Sequence, residues 1–489
     1  MKFLNGWHTR GLLIFCGLTA AAMTATVSAQ GPSRLTLAQA VQDALVQNDR
    51  MIAQNDTAEQ ANLSVRLARN TFSPKVVPNV LGSFGQSDVS NQTYRLDLTQ
   101  KLTTGTELKA GVGTTSAQIP GASGIPGQGD IRFYNTDTTF AVSQPLLRGF
   151  GPTVARRSLT SAEQREIDAR RQRTLAEQQV TVEVASSYYH LVAQQTLVEV
   201  ARKSLDRSRS LRDASEAKLD AGLVSQLDVF RAQQLVAQAE SQLFDAESAV
   251  EDARDQLAFL LGRESGTGLD VATEIPKDVD PIAADAAVAT ALDKRLDLQS
   301  AVAAAAEADR ATAYSRNQLL PQVDVNLAMT RRQTADGFAN SFGLDNFKAV
   351  TFLSISMPVD RTPGNIEYQN TLIDRDRRRR EIETLQRRIR DDVRRAVRQR
   401  DRVLRNLAAA ETSVEIGQKE VEVAQFRYER GLSNNLDVVT AEASLLAAES
   451  RRISALADAA TSRIGMRAVL GLLDPRTDII EPASTSAAK

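Results

Sequence analysis

Side chains able to do covalent or metal chemistry are scarce in this 489-residue sequence. It contains two histidines, His8 and His190, and one cysteine, Cys16. A Ser-His-Asp arrangement would need His190, which lies inside a predicted helix directly after Tyr188-Tyr189. Metal sites built from cysteine and histidine would lack ligands. We therefore predict no catalytic residue, no metal, no cofactor and no enzyme activity.

Two glycine-bearing turns are the centre of an internal repeat. The stretch 221–229 (AGLVSQLDV) recurs at 430–438 (RGLSNNLDV), and the match continues along both copies at a constant offset of 209. Neither turn has the Lys-Ser/Thr pair of a phosphate-binding loop, and neither follows a strand. A second offset of 247 relates the start of each half and pairs Pro74 with Pro321. One long unit is therefore used twice.

The N-terminus resembles a targeting segment. Lys2 and Arg10 give it positive charge, an apolar run follows, and residues 27–29 (VSA) form a small-residue cleavage site. We predict a signal peptide at residues 1–29, which contains Cys16. The mature chain then has no cysteine and leaves the cytoplasm.

The repeated unit is mainly helical, because long runs free of glycine and proline are rich in helix-forming residues. Apolar residues recur every seventh position from Val229 to Leu257, with alanine or leucine three places on, which predicts coiled-coil packing. Two half-length helices stacked end to end would match one helix of about 100 Å beside them. The predicted organisation is a first structural repeat 30–262 (helix, strands at about 75–145, long helix 153–221, return helix 225–261), a linker 263–281, a second structural repeat 282–471 (helix, strands at about 322–358, long helix 365–430, return helix 433–470) and a C-terminal tail 472–489.

The strands alternate between apolar and polar residues. One face of the strand at 322–330 carries Val323, Val325, Leu327 and Met329, and the other face is mostly polar. This period-two pattern is typical of a transmembrane β-barrel, but a soluble half-buried sheet gives the same pattern. Each half has only two to four strands, too few to close a barrel, and an open edge in lipid leaves backbone groups unpaired. Several subunits would therefore share one barrel.

At this point the chain resembles the TolC-like family of outer-membrane efflux proteins. The likeness rests on the two-fold repeat, the two tip turns, the proline-marked strand entries and the stretch 144–147 (QPLL) before the long helix. The family implies an α+β, mainly α fold: a homotrimer in which long helical hairpins form a periplasmic tunnel beneath a shared twelve-stranded barrel in outer-membrane lipid. It also implies an equatorial band, here the linker and the tail, and partners consisting of a periplasmic adaptor and an inner-membrane pump or secretion ATPase.

The first strand region is longer than the second. The span from Pro74 to Pro145 exceeds that from Pro321 to Pro358 by 34 residues. This excess is expected to be an extra hairpin, either a long extracellular loop or added strands. A loop is favoured for the part at 119–129.

The resemblance also assigns roles to the tip. Gly222, Leu223, Gly431 and Leu432 are predicted to dock the adaptor. Asp228, Tyr428, Arg430 and Asp437 are predicted to form a periplasmic gate in which Tyr428 meets Asp228. The aspartates also fit helix N-caps, so capping competes with gating for both. The family's locking arginine is replaced by Ser433, so a weaker lock is expected.

An arginine-dense run at 375–405 invites a nucleic-acid interpretation. Acidic residues are interleaved with it, and the formal net charge is −1. A solvated helix face with ion pairs to neighbouring subunits is the better interpretation, and no nucleic acid is expected. The overall prediction is an outer-membrane channel-tunnel for efflux or type I secretion. The alternative is a periplasmic coiled-coil adaptor or structural spacer.

Overall fold

The computed structural model describes residues 34–82, 90–119, 131–266, 268–272, 275, 283–343 and 345–480. The predicted signal peptide and the end of the predicted tail lie outside these residues. The helices are α1 Leu37–Gln47, α2 Asp49–Asn70, α3 Pro152–Ala155, α4 Arg157–Asp220, α5 Gln226–Leu260, α6 Ala284–Lys294, α7 Leu296–Gln318, α8 Thr362–Glu429 and α9 Asn435–Val469. The strands are β1 Lys75–Gly82, β2 Ser90–Lys101, β3 Glu107–Ile119, β4 Ile131–Pro145, β5 Gln322–Ala335 and β6 Lys348–Ser356.

Two helices set the length of the molecule. α4 has 64 residues and α8 has 68, so each is about 100 Å long. α4 packs beside α2 and α5, and α8 packs beside α7 and α9. α4 also packs against α9 and joins the two halves. The helices therefore form one layer of four columns in the order α2/α5, α4, α7/α9, α8, which confirms the duplicated, mainly helical fold.

The strands form one antiparallel sheet in which each strand pairs with the next along the chain. β4 pairs with β5, for example Phe140 with Met329, so the two halves share the sheet as they share the helical layer. Among the described strands, β1 and β6 have one neighbour each. The sheet has six strands, whereas three equal shares of a twelve-stranded barrel would be four. The favoured loop at 119–129 lies almost entirely outside the described residues.

The largest apolar core lies midway along the helical layer, where α1, α4 and α5 meet two connecting segments. Val271 from the predicted linker and Leu473 from the predicted tail are both buried there. The Tyr188 hydroxyl lies 3.0 Å from the Leu35 carbonyl oxygen and 3.1 Å from that of Ala272, to which it donates. Burial raises the pKa of Tyr188 to about 12. The described parts of the linker and tail thus pack against the helical layer about midway along its length.

A break in the short helical column recurs in both halves, and the sequence did not predict it. α1 and α2 are separated by Asn48, whose extended backbone interrupts the helix. Gly262, at φ +70°, packs so close that an added Cβ would lie 2.4 Å from the Gln47 carbonyl oxygen. In the second half, Gly471 approaches the break at Arg295 in the same way. The offset of 209 relates Gly262 to Gly471, and the offset of 247 relates Asn48 to Arg295. Each glycine packs against the break of its own half, so the same contact is present in both repeats.

Candidate functional site

The helical tip consists of two tight turns at the end of the layer remote from the sheet. Gly222 and Gly431 have φ values of +72° and +71°, the left-handed conformation that ends a helix. The Leu223 N–H donates to the Lys218 carbonyl oxygen at 2.8 Å, and Leu432 repeats this bond with Arg427. Leu223 is 73% exposed and Leu432 66%. Each turn therefore presents a bare glycine and an exposed leucine.

Asp228 caps its own helix. Its carboxylate accepts hydrogen bonds from the Ser225 backbone N–H at 3.1 Å and from the Ser225 hydroxyl at 2.8 Å. Arg231, one turn further along α5, lies 3.6 Å away. The side chain is mostly buried. This is the geometry expected of a helix N-cap, because the carboxylate accepts from an otherwise free N–H at the positive end of the helix.

Tyr428 faces the neighbouring hairpin instead. Its ring is buried, and its hydroxyl lies 2.8 Å from the Ser215 hydroxyl on α4. The Lys218 ammonium donates to the Tyr428 carbonyl oxygen at 2.5 Å and stands 3.8 Å from the ring centroid. Within one protomer, Tyr428 and Asp228 are therefore not brought together as predicted, since one side chain points at α4 and the other at its own helix terminus.

The other two predicted gate residues are also apart. The Arg430 guanidinium lies 5.2 Å from the ring centroid of Phe426 on its own helix. Asp437 is exposed in the first turn of α9, where Asn434 rather than Asp437 accepts from a backbone N–H, that of Leu436. The four predicted residues thus share one end of the molecule without forming one cluster in the protomer.

A second inter-hairpin contact was missed by the sequence. Glu442 on α9 is 4% exposed, and its carboxylate lies 2.7 Å from Arg207 on α4. Gln425 on α8 donates to the same carboxylate at 3.2 Å. Arg207, Ser215, Lys218, Tyr428 and Glu442 are called the tip seam below. A signal existed on α4, where buried serines at 204, 208 and 215 recur at helical spacing.

The predicted lipid-facing residues of β5 lie on a continuous apolar face. Leu327 is level with Val142, and Met329 is level with Phe140. On the other side Val325 is level with Leu353 of β6, which is more than half exposed. The opposite face carries polar groups, including Asp324 and Asn326. Lipid contact for this face remains a prediction that the register supports.

Among the described residues, no helix combines the length and apolar character needed to cross a membrane. The same residues contain no group of three or more His, Cys, Asp or Glu side chains placed to hold a metal ion. The described residues of the tip offer hydrogen bonds, the ion pairs Arg207–Glu442 and Arg231–Asp228, and exposed leucines.

The sequence profile of the outer membrane efflux protein family matches residues 40–263 and 287–472, nearly the whole of both repeats. The chain belongs to this family. It is an outer-membrane protein, and the family is one of efflux channels and not of enzymes. Membership also decides between the two functions left open by the sequence, since the adaptor alternative is a different class of protein.

Two relatives and one solved structure illustrate the likeness. Fusaric acid resistance protein FusA of Burkholderia cepacia is 34% identical over 140 residues, 27% of this chain and 26% of FusA. Toluene efflux pump outer membrane protein TtgF of Pseudomonas putida is 26% identical over 375 residues, 74% of each chain. The structure of CusC, described in terms of transmembrane channel formation, superposes with a TM-score of 0.67 at 15% identity, covering 89% of this chain and 92% of CusC. The match to FusA spans about a quarter of that protein.

Proposed function

We propose that this chain is one subunit of a trimeric channel-tunnel that carries small molecules or proteins outward across the outer membrane. The substrates come from the periplasm or from an inner-membrane pump through a tripartite assembly. The observation that carries this proposal is that the protomer is a layer with two open sides. Strand β1 follows α2, and β6 precedes α8, so the sheet and the helical layer are open along the same two sides.

A layer with two unlike open sides fits repetition around an axis. The α8 side of one copy meets the α2/α5 side of the next, and a ring leaves no strand edge unpaired. Closure matters most in lipid, where each unpaired backbone group costs several kcal/mol.

The charges on the two sides are complementary. On α8, Arg387 and Arg398 are exposed and form no ion pair with a described residue. At the opposite side of the layer, Asp56 on α2 and Asp252 on α5 are exposed acids, and neither forms an ion pair within the described part of the protomer. These acids flank the first helix break by about two turns on either side. Asp392 on α8 lies 3.5 Å from Arg295 and is therefore level with the second break. Arg387 precedes Asp392 and Arg398 follows it, so the two arginines lie on either side of that level.

The substrate class is proposed from the relatives. FusA and TtgF are named for fusaric acid resistance and toluene efflux, so small organic molecules are favoured over secreted proteins. The partners are a periplasmic adaptor and an inner-membrane pump, and the adaptor contacts the tip leucines. The gate is the tip, and the resting contacts of the tip seam hold its two hairpins together.

Charge reversal on the open side tests the assembly. Arg387→Glu with Arg398→Glu should abolish the heat-modifiable trimer on unheated gels of outer-membrane fractions, because like charges then meet across the interface. Adding Asp56→Arg and Asp252→Arg should restore it. The control is Arg451→Glu on α9, an exposed arginine away from both open sides. A trimer that survives the double reversal would contradict the proposed interface.

A further inference from the structure

The hairpin β2–β3 is an insertion that widens the sheet. The repeat offset pairs Pro74 with Pro321, so β1 corresponds to β5, and β4, which leads into the long helix, corresponds to β6. Between β5 and β6 the described residues contain no strand equivalent to β2 or β3. We propose that the shared barrel of this protein has eighteen strands, three copies of six, and continues the helical tunnel without narrowing. This inference rests on the proposed trimer.

The hairpin is built as part of the wall and not as a loop outside it. β2 pairs with β1 over the whole length of β1, and β3 pairs with β4 over thirteen residues. Tyr94, Leu96 and Leu98 of β2 lie on one face of the sheet. Leu98 is level with Ala110 of β3, and Ala110 is level with Phe140 of β4, so this face continues the apolar face of the other strands. A hairpin standing free in water gains nothing from an apolar face that continues that of its neighbours.

The other face of the hairpin carries charged side chains next to glycines. The Arg95 guanidinium lies 2.8 Å from the Asp97 carboxylate along the sheet. Gly111 and Gly113 of β3 lie beneath this pair, and an added Cβ at Gly111 would stand 2.7 Å from the Asp97 carboxylate. The glycines leave room for long charged side chains on the face that would line the lumen. Apolar outside and charged inside is the pattern of a membrane channel wall.

The width of the sheet supports the same conclusion. Four helix columns spaced about 8–10 Å apart give a layer about 32–40 Å wide. Six strands spaced about 4.8 Å apart and tilted about 40° cover about 38 Å of circumference, whereas four cover only about 25 Å. Three copies then close at a backbone diameter of about 36 Å instead of about 24 Å. The exit thus matches the bore of the tunnel, and size selection falls to the tip.

Tryptophan fluorescence tests whether β2 lies in the membrane. The one tryptophan of the sequence, Trp7, lies in the predicted signal peptide, so each introduced tryptophan is the only one in the mature chain. Leu96→Trp and the more conservative Tyr94→Trp are placed on the apolar face of β2, and Thr93→Trp on its polar face. Val325→Trp on β5 reports insertion itself. The purified trimers are reconstituted into vesicles whose lipids carry brominated acyl chains.

We expect strong quenching for Leu96→Trp, Tyr94→Trp and Val325→Trp, and weak quenching for Thr93→Trp. Quenching of Val325→Trp with none for both Leu96→Trp and Tyr94→Trp would overturn the eighteen-stranded barrel while leaving the trimeric channel intact. Absence of quenching at all four positions would count against the channel as well. The two proposals therefore fail in distinguishable ways.

Discussion

At the residue scale, an ion pair and hydrogen bonds of the tip seam link the two hairpins. Glu442 is nearly inaccessible, and Arg207 is its cationic partner at 2.7 Å. Removing one partner of a fully buried pair costs about 3–5 kcal/mol, and the cost here lies toward the lower end because the Arg207 side chain is 28% exposed. The hydrogen bond between Tyr428 and Ser215 adds about 1 kcal/mol. A change from mostly closed to mostly open needs roughly 5.5 kcal/mol, so in the proposed trimer three copies of the seam would be enough to bias the proposed gate.

Loosening the tip seam should therefore open the channel. We expect Glu442→Gln combined with Tyr428→Phe to raise single-channel conductance in planar bilayers and sensitivity to large antibiotics, with unchanged trimer yield. Asp228→Ala is the comparison, because its carboxylate caps α5. It should lower thermal stability by about 1 kcal/mol and leave conductance unchanged.

The opposite pattern would assign the gate differently. Raised conductance in Asp228→Ala alone, with none in the tip-seam variant, would show that Asp228 makes the gating contact between subunits.

At the scale of elements, each helix break packs against a glycine whose positive φ and close backbone contact leave no room for a side chain. Gly262 and Gly222 have nearly the same backbone, with φ of +70° and +72°. An added Cβ at Gly222 meets nothing within 4 Å, whereas at Gly262 it meets the backbone of Gln47. The Asn48 amide also donates to the Leu260 carbonyl oxygen at 2.8 Å, which fixes this approach.

The two glycines should respond differently to the same substitution. Gly222→Ala should cost about 1–2 kcal/mol, the strain of a left-handed residue with a Cβ. Gly262→Ala should cost clearly more, because the strain is joined by a clash with backbone. Thermal denaturation of the two variants measures the difference, and equal losses would show that the packing at the break is looser than described.

The strand faces provide a second prediction at this scale. Arginine on a lipid-facing position near mid-bilayer costs about 2–4 kcal/mol. Val325→Arg should therefore reduce membrane-inserted trimer far more than Asn326→Arg, its neighbour on the polar face. Equal effects of the two changes on inserted trimer would remove the lipid-facing assignment.

At the scale of the whole molecule, the internal duplication gives each protomer two similar tip turns, and the proposed trimer would contain three copies of each. Each protomer presents Leu223 and Leu432 in nearly identical turns, and three protomers would present six quasi-equivalent sites. Such a ring suits six adaptor hairpins. The exposed leucines supply apolar contact, and the left-handed glycines beside them keep the surface free of side chains.

Charging these leucines should separate docking from assembly. We expect Leu223→Asp with Leu432→Asp to abolish efflux in a drug-susceptibility assay while trimer level and membrane insertion remain normal. Each single variant should retain part of the activity, because the other set of three sites survives. Normal efflux in the double variant would exclude the leucines as the docking surface.

The sequence by itself determined the features that have a local period. Heptads predicted the packed helices, alternation predicted the strands and their apolar face, and the two glycine turns marked the tip, because each pattern reports how a single element buries one side. Only the tertiary structure decided which distant groups meet. Arg207 and Glu442 are 235 positions apart, and their contact depends on the axial stagger between α4 and α9. The break at Asn48 and the pairing of β2 and β3 into the sheet have the same origin. Both are settled by how one element packs on another, and no short-range spacing encodes that relation.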